Sequence, residues 1–293
     1  MQARYPVVDA FAQIHPALRL FGRPASADVL LAEMDRAKVD QAVLAALPVA
    51  PEGKGEASAG KGWERGDYHR RFNDYTAETV SGNHRRFLGL GTVHPRMLGA
   101  ADEVARIARD LKLCGLYVNH VIQGLPGRDE SVAALCKQAG RLGLYVAVHG
   151  VPALGAGAPD DVMWLALQCP ETRFVLLQMG GHRFPDILLP ARVQKRYAAA
   201  GVLSNLYYDL GPTPAFFRGG PYWEHLVWII REVGPDRFVY SSCFPDGEMG
   251  ACLRALDTLS LTDSERGRIL AGNMLDLVSS KWKGGPQGRL AAQ

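Results

Sequence analysis

Six apolar runs in this 293-residue chain lead into side chains that can move protons, hold a carbonyl oxygen or bind a metal. One leads into Asp9-Ala10-Phe11-Ala12-Gln13-Ile14-His15, another into Asn119-His120 and a third into His149-Gly150. Three more lead into Gln178-Met179-Gly180-Gly181-His182, Tyr208-Asp209 and Ser241-Ser242-Cys243-Phe244-Pro245-Asp246. Imidazoles so placed work as acids, bases or ligands near neutral pH, and His120 reads as an acid/base residue or substrate contact. His15 and His94 stand beside prolines and read first as capping or loop residues, although His15 is close enough to the same ends to reach a ligand. Asp209 either orients a neighbouring donor or caps the segment that starts at Gly211-Pro212. His69, His84 and His225 fall in helical or turn segments and read as solvent-facing.

The elements that must position these groups follow from periodicity. Continuous apolar or β-branched runs at residues 6–10, 41–47, 87–93, 115–119, 144–149, 174–179, 203–209 and 238–242 suit strands buried on both faces. Amphipathic patterns lie between them, such as the stripes Val104, Ile107, Ala108, Leu111 and Val132, Leu135, Cys136, Ala139. Eight strands each followed by a helix predict a single closed (β/α)8 TIM barrel over residues 1–283, with 284–293 as a frayed tail. A doubly wound sheet is disfavoured, because no GxGxxG or P-loop follows any strand. Residues 48–66, rich in Gly, Ala, Glu and Lys, form a long loop after the second strand. They read equally as a lid anchored by Trp63 or as a tolerated insertion.

Composition narrows the classes. With 33 basic and 30 acidic residues the chain is nearly balanced and carries no basic run, which excludes a nucleic-acid footprint. No apolar run approaches the roughly 18 residues that span a bilayer, and the first residues lack a signal-peptide pattern. The five cysteines are an odd number without a CxxC pair, which points to reduced thiols and a cytoplasmic protein. Four of them sit in apolar contexts as small hydrophobes; Cys243, at the end of the last strand, does not.

Taken in order, the stretches VVDAFAQIHP, LLAEMDRAKVDQAVL, NDYTAETV, RRFLGLGTV, LKLCGLYVN, LYVAVHG, FVLLQMGG, RFVYSSCFP and ILAGNMLDL resemble the amidohydrolase-related proteins of the aminocarboxymuconate-semialdehyde decarboxylase type, over nearly the whole chain. The resemblance implies an HxH pair on the first strand, a His on the fifth, an HxGG His after the sixth and a GSDxP Asp on the last. Most of these hold one divalent metal. At those positions this chain has Phe11 and Gln13, His149, Gln178 and Cys243, so only His149 is retained. A catalytic zinc takes three protein ligands; Phe11 offers none and Gln13 a weak carbonyl. The expectation is therefore no cofactor, with zinc only if His149 and Cys243 recruit a third ligand from His15 or His120.

If the family geometry holds, His149 and Cys243 face the same centre, and a thiol beside an imidazole is an activated nucleophile. Gln13, Asn119 and Gln178 then contact a substrate oxygen, Phe11 makes an apolar floor, and His182 takes the acid/base place from a shifted position. The resemblance leaves three readings open. The first is a metal-independent hydrolase of a small cyclic or aromatic carboxylic substrate, using Cys243, His149 and His120. The second is a decarboxylase or other carbon–carbon lyase on a similar substrate; the third is a catalytically silent barrel that binds or partners another subunit. The small-molecule substrate is the partner expected, with no nucleic acid and no membrane, and a homodimer through exterior helices is compatible with the resemblance.

Overall fold

The computed structural model of the chain describes residues 5–15, 19–20, 22–47, 66–150 and 158–279. Trp63, nearly all of the predicted loop and the predicted tail lie outside the described residues. Eight parallel strands run in sequence order: β1 Val8–Ile14, β2 Gln41–Ala46, β3 Phe87–Thr92, β4 Gly115–Val118, β5 Tyr145–Val148, β6 Phe174–Leu176, β7 Leu206–Asp209 and β8 Phe238–Val239. Each pairs with the next. The barrel closes where Ala10 N–H donates to Tyr240 O at 2.8 Å, Gln13 N–H to Phe244 O at 2.7 Å and Cys243 N–H to Phe11 O at 3.1 Å. The (β/α)8 barrel expected from the strand count is the fold of the chain.

Strand alternation makes two cores. On β5, Tyr145 and Ala147 point inward with Val8, Phe11, Val43, Leu90, Tyr117, Val175 and Cys243. Val146 and Val148 point outward to helices such as Glu130–Arg141, whose Val132, Leu135, Cys136 and Ala139 are the buried stripe that periodicity predicts. That helix starts where Asp129 accepts from the Ser131 and Val132 N–H groups, a side-chain cap for otherwise unsatisfied donors.

Element bounds differ where side chains or unusual backbone replace ladder pairing. The first strand continues to Ile14, through a bulge between Asp9 and Ala12, instead of ending at residue 10. The sixth stops at Leu176, because Gln178, Met179, Gly180 and Gly181 all have positive φ and cannot extend a strand. The eighth stops at Val239, and beyond it Asp9 takes over. The Asp9 carboxyl accepts from the N–H groups of Phe11 and Ser242, both at 3.1 Å, and bonds the Ser242 hydroxyl. That hydroxyl also accepts from Phe244 N–H at 3.0 Å. His69 departs from expectation too. It is fully buried, with Nδ1 3.1 Å from Thr92 Oγ1, because helix Gly66–Gly82 turns it onto the end of β3.

Burial pushes the Asp9 carboxyl up to about 7, against the pull of its hydrogen bonds, and the Asp209 charge adds to the rise. Asp209 is likewise pushed by burial to about 6. Both groups are easier to protonate folded than unfolded, so their contribution is complete below about pH 4 and is lost as pH rises through 6 to 7. The thermal midpoint is expected to fall from about pH 5 to about pH 8, by several degrees, and Asp9→Asn to flatten that fall. A midpoint that rises over this range, or a slope that Asp9→Asn leaves unchanged, contradicts the assignment.

Candidate active site

The carboxyl ends of the strands form one face of the barrel, where barrel enzymes carry their chemistry. His120 opens the short helix His120–Gln123, which Asn119 caps by accepting from Ile122 N–H at 3.1 Å. The imidazole is buried, and neither ring nitrogen has a partner among the described residues. His149 follows β5, its N–H donating to Val118 O at 2.8 Å. Burial lowers the pKa of both imidazoles; His149 falls to about 4, with His120 adding to the shift, so both are neutral at pH 7. Below them Phe11 packs on Tyr117 with ring centroids 4.8 Å apart, and the Tyr117 hydroxyl accepts from Asn119 Nδ2 at 2.8 Å. Gln13 is buried on β1 with no partner for its Oε1 among the described residues.

A second group is built on β6, β7 and β8. Asp209 Oδ2 accepts from Gln178 N–H at 3.1 Å and from the Ser241 hydroxyl at 2.8 Å, and Oδ1 from Gly211 N–H at 2.9 Å. Thr213 Oγ1 donates to Gln178 O at 3.2 Å, so the left-handed Gln178 backbone is held on both sides. Ser241 Oγ lies 3.4 Å from Cys243 Sγ, and the Gln178 side chain also reaches that sulfur. Gly150 permits this closeness, because a Cβ there would sit 1.8 Å from Leu177 O.

Phe11, Tyr117 and Cys243 share the inner core, where Cys243 N–H donates to Phe11 O and the Gln178 side chain reaches the sulfur, and His120 lies near enough to His149 to lower its pKa. His15 turns aside: its ring lies 5.3 Å from Phe72 of helix Gly66–Gly82. His182 is exposed on the rim. The activated thiol expected from Cys243 and His149 is not what this geometry supports. Burial pushes the Cys243 thiol well above its ordinary value, and the neighbouring Asp209 and Asp9 carboxyls push the same way. A neutral His149 supplies no cation to draw out the proton. Sequence reasoning missed the role of Asp9, although a carboxyl inside a strand buried on both faces is itself a signal that partners wait for it.

Two cavities open near these strand ends. One, lined by His69, Thr92, Tyr117 and Asn119, is about 10 Å³, room for a single water. The other, about 300 Å³, lies between the turns after β6, β7 and β8, with Gln178, His182, Thr213, Phe216, Phe217 and Asp246 on its walls. A cleft of about 360 Å³ at Lys38, Asp40 and Arg86 sits at the opposite end of the barrel, where β2 begins.

The fold is that of an amidohydrolase-type barrel, with the candidate site at the carboxyl ends of the strands. The family model described as amidohydrolase matches residues 11–277, and the chain belongs to that family. It is 23% identical over 284 residues to a 2-amino-3-carboxymuconate-6-semialdehyde decarboxylase of Dictyostelium discoideum, covering 86% of this chain and 76% of that protein. Among solved structures it resembles 5-carboxyvanillate decarboxylase from Sphingomonas paucimobilis, with TM-score 0.69, 18% identity and coverage of 94% and 99%. A dihydroxybenzoic acid decarboxylase from Polaromonas, solved with bound manganese, aligns with TM-score 0.67, 17% identity and coverage of 94% and 97%.

The manganese-bound neighbour corrects the expectation of a chain without a cofactor: this fold holds a divalent metal in a solved decarboxylase. The side chains of this chain fit such an ion poorly at the corresponding strand ends. Phe11 presents a ring, and Gln13 and Gln178 present neutral amides. Among the described residues no group of three or more His, Cys, Asp or Glu could hold a metal.

Two measurements follow from this geometry. Mass-mapped iodoacetamide labelling near pH 8 is expected to modify Cys243 more slowly than free cysteine; faster labelling would restore the activated thiol. Gly150→Ala is expected to cost about 1–3 kcal/mol, by forcing apart the ends of β5 and β6. An unchanged thermal midpoint would show that the clash at Leu177 O is relieved without cost.

Proposed function

We propose that the chain is a decarboxylase, a carbon–carbon lyase that removes the carboxyl group of a small aromatic carboxylate. The observation that carries this reading is the buried His120 imidazole, neither ring nitrogen of which has a partner among the described residues; Gln13 Oε1 and Gln178 Oε1 are further unpartnered acceptors, for a donor on the ring rather than for its carboxylate. They stand at the carboxyl ends of β1, β4 and β6, close to the aromatic Phe11–Tyr117 pair. Buried polar atoms are normally paired, so a ligand is their natural partner. The relatives named above, each called a decarboxylase, lend the reaction type.

The chemistry agrees with the surroundings. Decarboxylation breaks the bond between ring and carboxyl carbon, returns its electron pair to the ring and adds there one proton taken from water, giving the arene and carbon dioxide, with the hydroxide left behind taken up as bicarbonate. The negative charge is concentrated on the carboxylate at the start and spreads as the bond breaks. A site of ring faces and neutral imidazoles solvates the compact carboxylate poorly relative to the spread charge. His120 and His149, neutral at pH 7, hydrogen-bond the substrate without pairing its charge; Gln13, Asn119 and Gln178 orient it, Phe11 supports the ring, and His182 stands on the rim. Hydrolysis through Cys243 has less support, because its thiol is held protonated.

The test is release of labelled carbon dioxide from carboxyl-labelled hydroxybenzoates, with and without added manganese. Carbon dioxide and the decarboxylated ring are expected, and His120→Ala is expected to lower kcat/KM by about tenfold or more. Hydrolysis of ester or lactone analogues with no carbon dioxide would favour the hydrolase. Binding with neither reaction would favour a silent barrel.

A further inference from the structure

The cavity of about 10 Å³ at the ends of β2, β3 and β4 is the size of one water molecule, and the hydrogen bonds beside it run in one direction. Backbone groups fix that direction, because an N–H is always the donor. Ile122 N–H donates to Asn119 Oδ1 at 3.1 Å, so the other end of that amide is Nδ2. Nδ2 donates to the Tyr117 hydroxyl oxygen at 2.8 Å and keeps a second hydrogen for the substrate. The Tyr117 oxygen therefore accepts from Asn119, and its own proton must go to another group. Asn119 is the one hydrogen-bond partner of that hydroxyl among the described residues. Gln123, also on the cavity wall, is already engaged: Nε2 donates to Val93 O at 2.9 Å, and Oε1 accepts from Asn119 N–H at 3.2 Å.

Tyr117 is 2% exposed and lines the cavity, so bulk solvent does not serve its hydroxyl. A buried O–H without an acceptor is costly, and a water in the cavity supplies one. Thr92, on the same wall, has Oγ1 3.1 Å from His69 Nδ1. In either tautomer of that ring the Thr92 oxygen keeps a lone pair. A water that accepts from Tyr117 and donates to Thr92 has the two partners a buried water needs, and its second hydrogen is left over. Donors aligned in one sense polarise one another, which strengthens that last O–H as a donor.

We propose that this cavity holds a water oriented by Tyr117 and Thr92, and that this water donates the proton that replaces the carboxyl group on the ring. The inference rests on the decarboxylase reading for the ring carbon that receives the proton. The bond between ring and carboxyl carbon breaks towards the ring, one water O–H bond breaks, and a ring C–H bond forms. The hydroxide left behind keeps the Tyr117 hydrogen bond and takes up the carbon dioxide as bicarbonate; a new water then fills the cavity. Tyr117 and Thr92 are positioning residues, since they act on the water and not on the ring.

The test has two arms, both on the full chain. A crystal structure is expected to show one ordered water within hydrogen-bond distance of Tyr117 Oη and Thr92 Oγ1, lost in Tyr117→Phe. With carboxyl-labelled hydroxybenzoates, Tyr117→Phe and Thr92→Val are each expected to lower kcat by about tenfold or more, with KM within about twofold. Should one variant not fold, the other and the crystal structure decide. No water at that position, a folded variant that keeps kcat within about twofold, or a loss confined to KM would each overturn the inference. An ordered water with no carbon dioxide released removes the decarboxylase reading and the donor role with it, and leaves the water site standing. Carbon dioxide release without that water overturns the site and leaves the decarboxylase reading intact.

Discussion

A parallel sheet that closes on itself has one seam where its last strand must find its first, and here three backbone hydrogen bonds and one buried carboxyl group make that seam. Asp9 sits in the bulge of β1 and takes the N–H groups of Phe11 and Ser242 together with the Ser242 hydroxyl. Without it the short β8, only Phe238–Val239, has little ladder of its own to bring residues 240–244 alongside β1. The backbone bonds from Ala10 to Tyr240, Gln13 to Phe244 and Cys243 to Phe11 lie on either side of that contact. Burying a carboxyl costs free energy unless its lone pairs are used, and here the bulge supplies the Phe11 N–H and the chain beyond β8 the Ser242 N–H.

From the seam the site is built outward. The chain leaving β8 carries Ser241 to Asp209 on β7, and Asp209 holds the backbone of Gln178 after β6. Three strand ends are thus linked through one buried carboxyl, and the cleft wall at Gln178 and Thr213 is fixed to the barrel core. The imidazole side, built on β4 and β5, is held by the Asn119 cap.

Much of the architecture was legible because it depends on period. Runs such as Tyr145–Val148 and stripes such as Val132, Leu135, Cys136 and Ala139 need no tertiary knowledge to be read as strand and helix. The ends of elements were not legible, because there a side chain or an unusual backbone replaces the ladder: Asp9 past β8, or the left-handed run Gln178–Gly181 past β6. Spacing located Phe11, Gln13, His120, His149, Gln178 and Cys243 on one face, yet said nothing of protonation. Whether Cys243 is a nucleophile depends on the carboxyls beside it and on the depth of burial, and neither is encoded locally. His69 failed for the same reason, since its helix turns toward the barrel at a register that sequence does not reveal.

The hydrogen bonds of the seam also bear on how such a chain changes over generations. They use the backbone of Phe11, Gln13 and Cys243 and the side chains of Asp9 and Ser242, never the side chains at positions 11, 13 or 243. The hydrogen bonds of closure therefore ask nothing of the side chains at those three positions, and what limits exchange of one reactive group for another there is the packing of Phe11 and Cys243 in the inner core.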